Sequence, residues 1–260
     1  MLHYNSKNLS GKHNRIISVV PSLTELLFDL GLKEEVVGIT KFCIHPDEWL
    51  HSKTRIGGTK QLNIEAIKKL NPDLIIANKE ENEKEQILEL AKDFDVLLTD
   101  IKTLDDALIA MYDIGKAVGK EKEALQINSQ IQQEFEKLIP HKNTHVAYLI
   151  WRDPYMSINR NTFIHHLMAL NGWQNVFGDH NDRYPMTDIE IIREKNPEYI
   201  FLSSEPFPFA QKHADEIAAQ LPECKVILVD GEMFSWYGSR LKRAVTYFHE
   251  LNLSLNKIQE

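Results

Sequence analysis

The chain has little that would commit it to catalysis or to a covalent scaffold. Its 260 residues include two cysteines, Cys43 and Cys224, too few for a disulfide framework. No apolar run approaches the roughly 18 residues that a membrane-spanning helix needs. Basic charge is in deficit: the formal net charge is -8 and the pI about 5.8, which leaves no electrostatic footprint for nucleic acid. The phosphate-cradling patterns G-x-x-x-x-G-K-[ST] and G-x-G-x-x-G are absent, as are G-x-S-x-G and H-E-x-x-H. The eleven histidines are scattered. His165 and His166 are adjacent on an expected helix, so they diverge by about 100° and do not share one metal easily. What remains is an ordinary globular composition, 43% hydrophobic and 26% charged.

The residues present organise around Lys120–Ile139, where Ala124, Ile127, Ile131, Phe135 and Leu138 form one stripe at helical spacing between Gly119 and Pro140. The chain looks alike on either side of this helix. NIEAIKKLNPDLII, Asn63 to Ile76, and DIEIIREKNPEYIF, Asp188 to Phe201, share six of their 14 positions. Each reads as a short helix opened by a capping Asn or Asp, stopped before Asn-Pro and followed by a buried strand. Strand–helix alternation on both sides gives the expected fold class: α/β, two mostly parallel-sheet lobes joined by a single long backbone helix. The expected boundaries are 14–118 for the N-terminal lobe, 119–140 for the helix and 141–260 for the C-terminal lobe. Residues 1–14 read as a loosely attached arm. Ser22 or Thr24 is expected to cap the first helix, with Ser22 and Glu25 at capping-box spacing.

In parallel α/β sheets, ligands sit outside the carboxyl ends of the strands. The residues expected there are Pro21 and Ser22, Phe42 and His45, Thr59 and Lys60, Trp151, Arg152 and Tyr155, Arg183 and Tyr184, then Phe234, Trp236, Tyr237 and Arg240. So many aromatics among few charges suit a large, flat, partly apolar ligand. Any one of these rings is equally explained by packing. Cys43 and His45 are weak candidates for metal ligation or for a thiolate–imidazole pair. Glu65 and Glu190 hold matching positions in the two repeat units. Each would stabilise its own helix N-terminus, and together they would present matched acidic points to a two-fold-symmetric partner.

RIISVVPSLTELLFDLG, then VVGIT with an aromatic and His-Pro, then GGTK-x-LN-IE-x-I-x-x-x-NPDLI resembles the helical-backbone class of ABC-transporter substrate-binding proteins, and within it the vitamin B12-binding branch. NG-x-x-NVF and WYGSR continue the resemblance, which spans roughly residues 14–253. It implies a non-enzymatic protein without a resident cofactor, holding a cobalamin-like corrinoid, haem or a ferric siderophore between two lobes. It also implies that Glu65 and Glu190 dock onto arginines of an ABC permease, and that Phe42, Trp151 or Tyr155, Tyr184 and Trp236 face the ligand. Residence would be periplasmic or otherwise extracytoplasmic. The polar start, MLHYNSKNLSGKHN, shows no apolar signal core and leaves the cytoplasm open. The rival expectation is an intracellular corrinoid- or haem-handling enzyme or metallochaperone that uses Cys43 and His45.

Overall fold

The computed structural model describes residues 1–9 and 13–259. The chain runs β1 (Leu2–His3), β2 (Ile16–Ser18), α1 (Pro21–Asp29), β3 (Val36–Ile39), α2 (Asp47–Ser52), β4 (Thr54–Arg55), α3 (Ile64–Leu70), β5 (Leu74–Asn78), α4 (Lys84–Leu90), β6 (Val96–Thr99), α5 (Leu104–Ala117) and α6 (Glu121–Phe135). It continues through β7 (Thr144–Leu149), β8 (Tyr155–Met156), α7 (Phe163–Leu170), β9 (Trp173–Asn175), β10 (Met186–Thr187), α8 (Ile189–Lys195), β11 (Tyr199–Ser203), α9 (Gln211–Gln220), β12 (Lys225–Val229), α10 (Gly231–Ser235) and α11 (Leu241–Gln259).

Two compact units emerge. The first comprises Met1–Ile101, Asp105–Gln133 and Tyr237–Lys242, and the second Lys102–Leu104, Glu134–Trp236 and Arg243–Glu260. The first is built on a sheet of order β1-β6-β5-β2-β3-β4, the second on β12-β11-β7-β9 with a small β10-β8 pair beside it. Every pairing in the two larger sheets is parallel. Parallel strands need helical crossovers that cover both faces, so their residues read as continuous apolar runs. Leu74–Asn78 and Tyr199–Ser203 are accordingly buried throughout.

The sequence repeat is one capped helix used twice. Asn63 accepts the Ala66 amide at 3.0 Å and Asp188 accepts the Ile191 amide at 2.8 Å. Both helices end in an asparagine in the left-handed region, Asn71 at φ 46° and Asn196 at φ 48°. Asparagine tolerates that conformation better than most residues, and the proline that follows forbids another helical turn.

Three expectations change. The helix centred on Ile127 is shorter than Lys120–Ile139. Its buried stripe is Ala124, Ile127, Asn128 and Ile131, and it ends at Phe135. Lys137 and Leu138 donate to carbonyls three residues back, which tightens the chain out of the α-helix. This helix carries the chain from the first unit to the second, as the expected fold class has it. The first helix opens with Pro21 at its first position and Val20 as N-cap, without a side-chain cap, so Ser22 and Glu25 form no capping box. Finally, residues 1–9 are not a loose arm. Leu2 and His3 add a parallel strand beside Val96 and Leu97. His3 Nε2 lies 2.9 Å from Asp95 Oδ1, and the Ser6 hydroxyl donates to Asp113 at 2.6 Å. Residues 10–12 of that arm lie outside the described residues.

Candidate ligand-binding surfaces

In the first unit, β3 leads into Thr40–His45. Cys43 turns inward and is fully buried, with Thr24 Oγ1 and Thr40 Oγ1 at 3.1 and 3.2 Å from its sulfur. Burial pushes its thiol above the ordinary range, only partly offset by those two hydroxyls. The neighbouring Phe42 turns outward, 51% exposed, with Ile44 exposed beside it. Lys41 Nζ stands 5.0 Å from the Phe42 ring centroid. The turn after β4 approaches the same ring. Gly58 holds two reciprocal backbone hydrogen bonds with Gln61, and a Cβ on it would lie 3.1 Å from Phe42 Cε2. Gly57 sits at φ 99°, and a Cβ there would strike the Gln61 carbonyl, so glycine is required. Asn82 fastens this turn by donating to both Val19 O and Thr59 O. Thr59 is therefore buried, while Lys60 is exposed and donates to Glu80 O at 2.7 Å. Pro21 is half-buried and Ser22 buried at the start of α1, and His45 is half-buried. Among the described residues no three His, Cys, Asp or Glu side chains gather to hold a metal, so Cys43 and His45 belong to no such group.

In the second unit, β7 leads into Trp151, 41% exposed. The chain folds back at once: Ile150 donates to Met156 O and Met156 to Trp151 O. The Trp151 ring meets Phe207, from the loop after β11, edge to face at 5.9 Å. Phe207 in turn meets Phe209 at 4.8 Å and His213 at 5.4 Å. The result is an aromatic row across the carboxyl ends of β7 and β11. Beside it, Met156 pairs with Met186 across the β8–β10 ribbon, and Met186 is exposed. Arg152 Nη2 reaches Glu216 at 2.8 Å. Tyr155 is half-buried, and burial raises its hydroxyl pKa despite the nearby Arg152. Tyr184 is half-buried with the Arg183 guanidinium 5.9 Å from its ring.

Trp236 sits differently from the expectation that it faces ligand. Its ring is buried, and Nε1 donates at 2.9 Å to Glu205, which also accepts the Ser235 hydroxyl. Burial pushes the Glu205 carboxyl above the usual range, assisted by the charges of Glu232 and Asp230 and opposed by the two donors. Phe234 packs in the core against Tyr148, Trp173 and Phe248. Tyr237 and Arg240 belong to the first unit. Both are buried, and Arg240 is engaged by Glu25. Phe207 and Glu205 escaped the sequence reading. Their signal was the run SSEPFPF, where two prolines break a chain leaving a fully buried strand and so leave its rings outside the sheet.

Glu65 and Glu190 are both exposed, each immediately inside the capped start of its helix. Glu190 meets Arg193 one turn on.

Comparison with known proteins gives a consistent neighbourhood. A family model described as "Periplasmic binding protein" matches residues 16–225. A vitamin B12-binding protein of Pectobacterium atrosepticum is 26% identical over 239 residues, covering 87% of this chain and 84% of the relative. Among solved structures, the periplasmic vitamin B12-binding protein of Vibrio cholerae superposes with a TM-score of 0.78 at 22% identity, covering 94% of this chain and 98% of its own. A periplasmic haem-binding protein from Roseiflexus sp. RS-1 gives 0.77 at 22% identity, covering 95% and 99%. The two structures share this chain's fold. All three relatives are binding proteins.

Proposed function

Because the chain belongs to the periplasmic binding protein family, it is read as a substrate-binding protein of an ABC importer, and we propose that its ligand is a cobalamin-like corrinoid or another metal chelate such as haem or a ferric siderophore. Family membership supports an extracytoplasmic setting, and no described helix is long and apolar enough to cross a membrane. The observation that carries the ligand reading is the exposure of Phe42 and Trp151. Each is a large ring at the carboxyl end of its unit's parallel sheet. Exposed aromatics of this size gain about 1–3 kcal/mol each when a flat apolar surface covers them. A large flat ligand that covers Phe42, Trp151 and Phe207 uses these rings.

Pro21, His45, Lys60, Tyr155, Arg183 and Tyr184 are proposed as the surrounding contacts. Ser22, Thr59, Trp236, Tyr237 and Arg240 are buried, and their proposed role is to hold those loops in place. The alternative of an enzyme or metallochaperone built on Cys43 is disfavoured, because a buried thiol with a raised pKa is neither a ready nucleophile nor a ready ligand.

Titration with cyanocobalamin, cobinamide and haemin, followed by tryptophan fluorescence and visible absorbance, tests the reading. One of these should bind stoichiometrically without chemical conversion. Trp151→Ala and Phe42→Ala should each weaken it by about 1–3 kcal/mol, roughly 5- to 150-fold, with unchanged far-UV circular dichroism. Binding that ignores both substitutions refutes the surface. Glu65 and Glu190 are proposed as the permease contacts. Their charge reversal should abolish stimulation of the importer while leaving ligand affinity intact.

A further inference from the structure

We propose that Glu205 positions the aromatic row of Trp151, Phe207, Phe209 and His213, and that the row holds its ligand most tightly when the Glu205 carboxyl carries a proton. The loop after β11 is fastened on either side of Pro206. On one side the Phe207 amide donates to Ile150 O at 3.2 Å, next to Trp151. On the other the Glu205 carboxyl accepts the Ser235 hydroxyl, at the end of α10, and Trp236 Nε1, just after it. Gly231, the first residue of α10, comes so close that a Cβ there would lie 2.7 Å from Glu205 Cγ. The side chain is thus held against both ends of α10, two residues from the ring that meets Trp151 at 5.9 Å.

Both donors converge on one oxygen, Oε1. A protonated carboxyl serves them without a buried charge, because its carbonyl oxygen keeps two lone pairs while Oε2 takes the proton. The titratable groups around Glu205 are Glu232 on α10, Asp230 at the end of β12, Tyr148 on β7 and Tyr247 on α11. The Tyr148 hydroxyl donates to Ser203 at 3.2 Å, and the Tyr247 hydroxyl accepts the Asp230 amide at 2.8 Å. Burial raises both tyrosines, Tyr247 to about 12, so neither titrates in the carboxyl's range. The two acids oppose a charge on Glu205, and its own desolvation opposes it more strongly than the two donors favour it.

Ionisation therefore strains this clasp and favours a loop in which the carboxylate is hydrated, with Phe207 drawn away from Trp151. The clasped row binds the proton more tightly than the open one, so ligand and proton bind together. Affinity is highest below the ordinary carboxylate range. It falls by at most about tenfold per pH unit as pH rises toward the raised value, and levels above it. The ligand half of this inference rests on the reading given under Proposed function, whereas the clasp is a property of the free chain.

Amide hydrogen exchange in the ligand-free chain tests the clasp. The protection factor of the Phe207 amide, which corrects for base catalysis, should fall as pH rises from about 4 to 9. It should stay level in Glu205→Gln, whose amide oxygen serves both donors without a charge, and be low at every pH in Glu205→Ala. Titrations with cyanocobalamin and haemin over the same range test the row. For whichever binds, the ratio of wild-type to Glu205→Gln affinity, which cancels titration of the ligand itself, should fall with rising pH. If neither ligand binds while Phe207 protection behaves as stated, the ligand reading fails and the clasp is upheld. Phe207 protection that ignores pH, or a wild-type pH profile that survives unchanged in Glu205→Gln and so belongs to another group such as His213, overturns the proposal.

Discussion

Arg240 and Glu25, 215 residues apart in sequence, meet in a bidentate pair: Nε to Oε2 and Nη2 to Oε1 are both 2.8 Å. The side chains are only 7% and 11% exposed. Two parallel charge-assisted hydrogen bonds give this contact direction as well as energy. It ties the segment Tyr237–Lys242 to α1 within the first unit.

Breaking one side of that pair leaves the other charge buried without its partner. Arg240→Ala and Glu25→Ala should each cost about 3–5 kcal/mol in urea unfolding. The double substitution Glu25→Leu with Arg240→Met, which leaves no charge behind, should cost clearly less than the sum of the two single changes. An additive double mutant would show that the two residues act separately.

Gly115 sets how closely α5 and α6 approach. A Cβ on it would overlap the Ala124 methyl and crowd the Lys120 carbonyl. Gly115→Ala should therefore destabilise by about 1–3 kcal/mol, although alanine is the better helix former. Adding Ala124→Gly should recover part of the loss beyond its own helix-propensity cost, as read by the coupling in a double-mutant cycle.

Glu205 makes stability depend on pH in an identifiable direction. Its folded carboxyl binds protons more tightly than the unfolded one, so the native state holds the extra proton between the ordinary carboxylate range and the raised one. Stability then falls as pH rises through that window, and the burial penalty is present in full only above it. Glu205→Gln keeps an oxygen for the Trp236 and Ser235 donors without the charge. The urea midpoint of the variant, compared with wild type from pH 4 to 8, should gain most at the upper end. A constant offset across the range would remove Glu205 as the source.

Both thiols should be silent in the native state. Cys43 and Cys224 are buried, and burial raises the pKa of each. A thiol-reactive chromophore should therefore report two equivalents only after unfolding in urea. Rapid native labelling of Cys43 would revive it as a candidate ligand.

How much of this protein is legible in its sequence follows the range of the interactions involved. The two capped helices beginning at Asn63 and Asp188, their Asn-Pro ends and the buried strands after them rest on contacts within a few residues, so a local pattern sufficed to find them. The parallel α/β class follows from the same alternation of strand and helix. The exposure of Phe42 and Trp151 was not legible, because an aromatic after a strand packs inward or outward according to what lies across from it. Cys43 turning inward beside Thr24, and Trp236 sealed by Glu205, are the same lesson with the opposite result. Glu25 shows the limit most clearly. Its spacing from Ser22 suits a capping box, but Pro21 already opens the helix and the carboxylate is taken by Arg240, which the chain delivers only after both units have been built. Local periodicity determined the elements and their class. Which side chains those elements bury, pair or leave open was decided by distant segments competing for the same space, and that competition exists only in the folded chain.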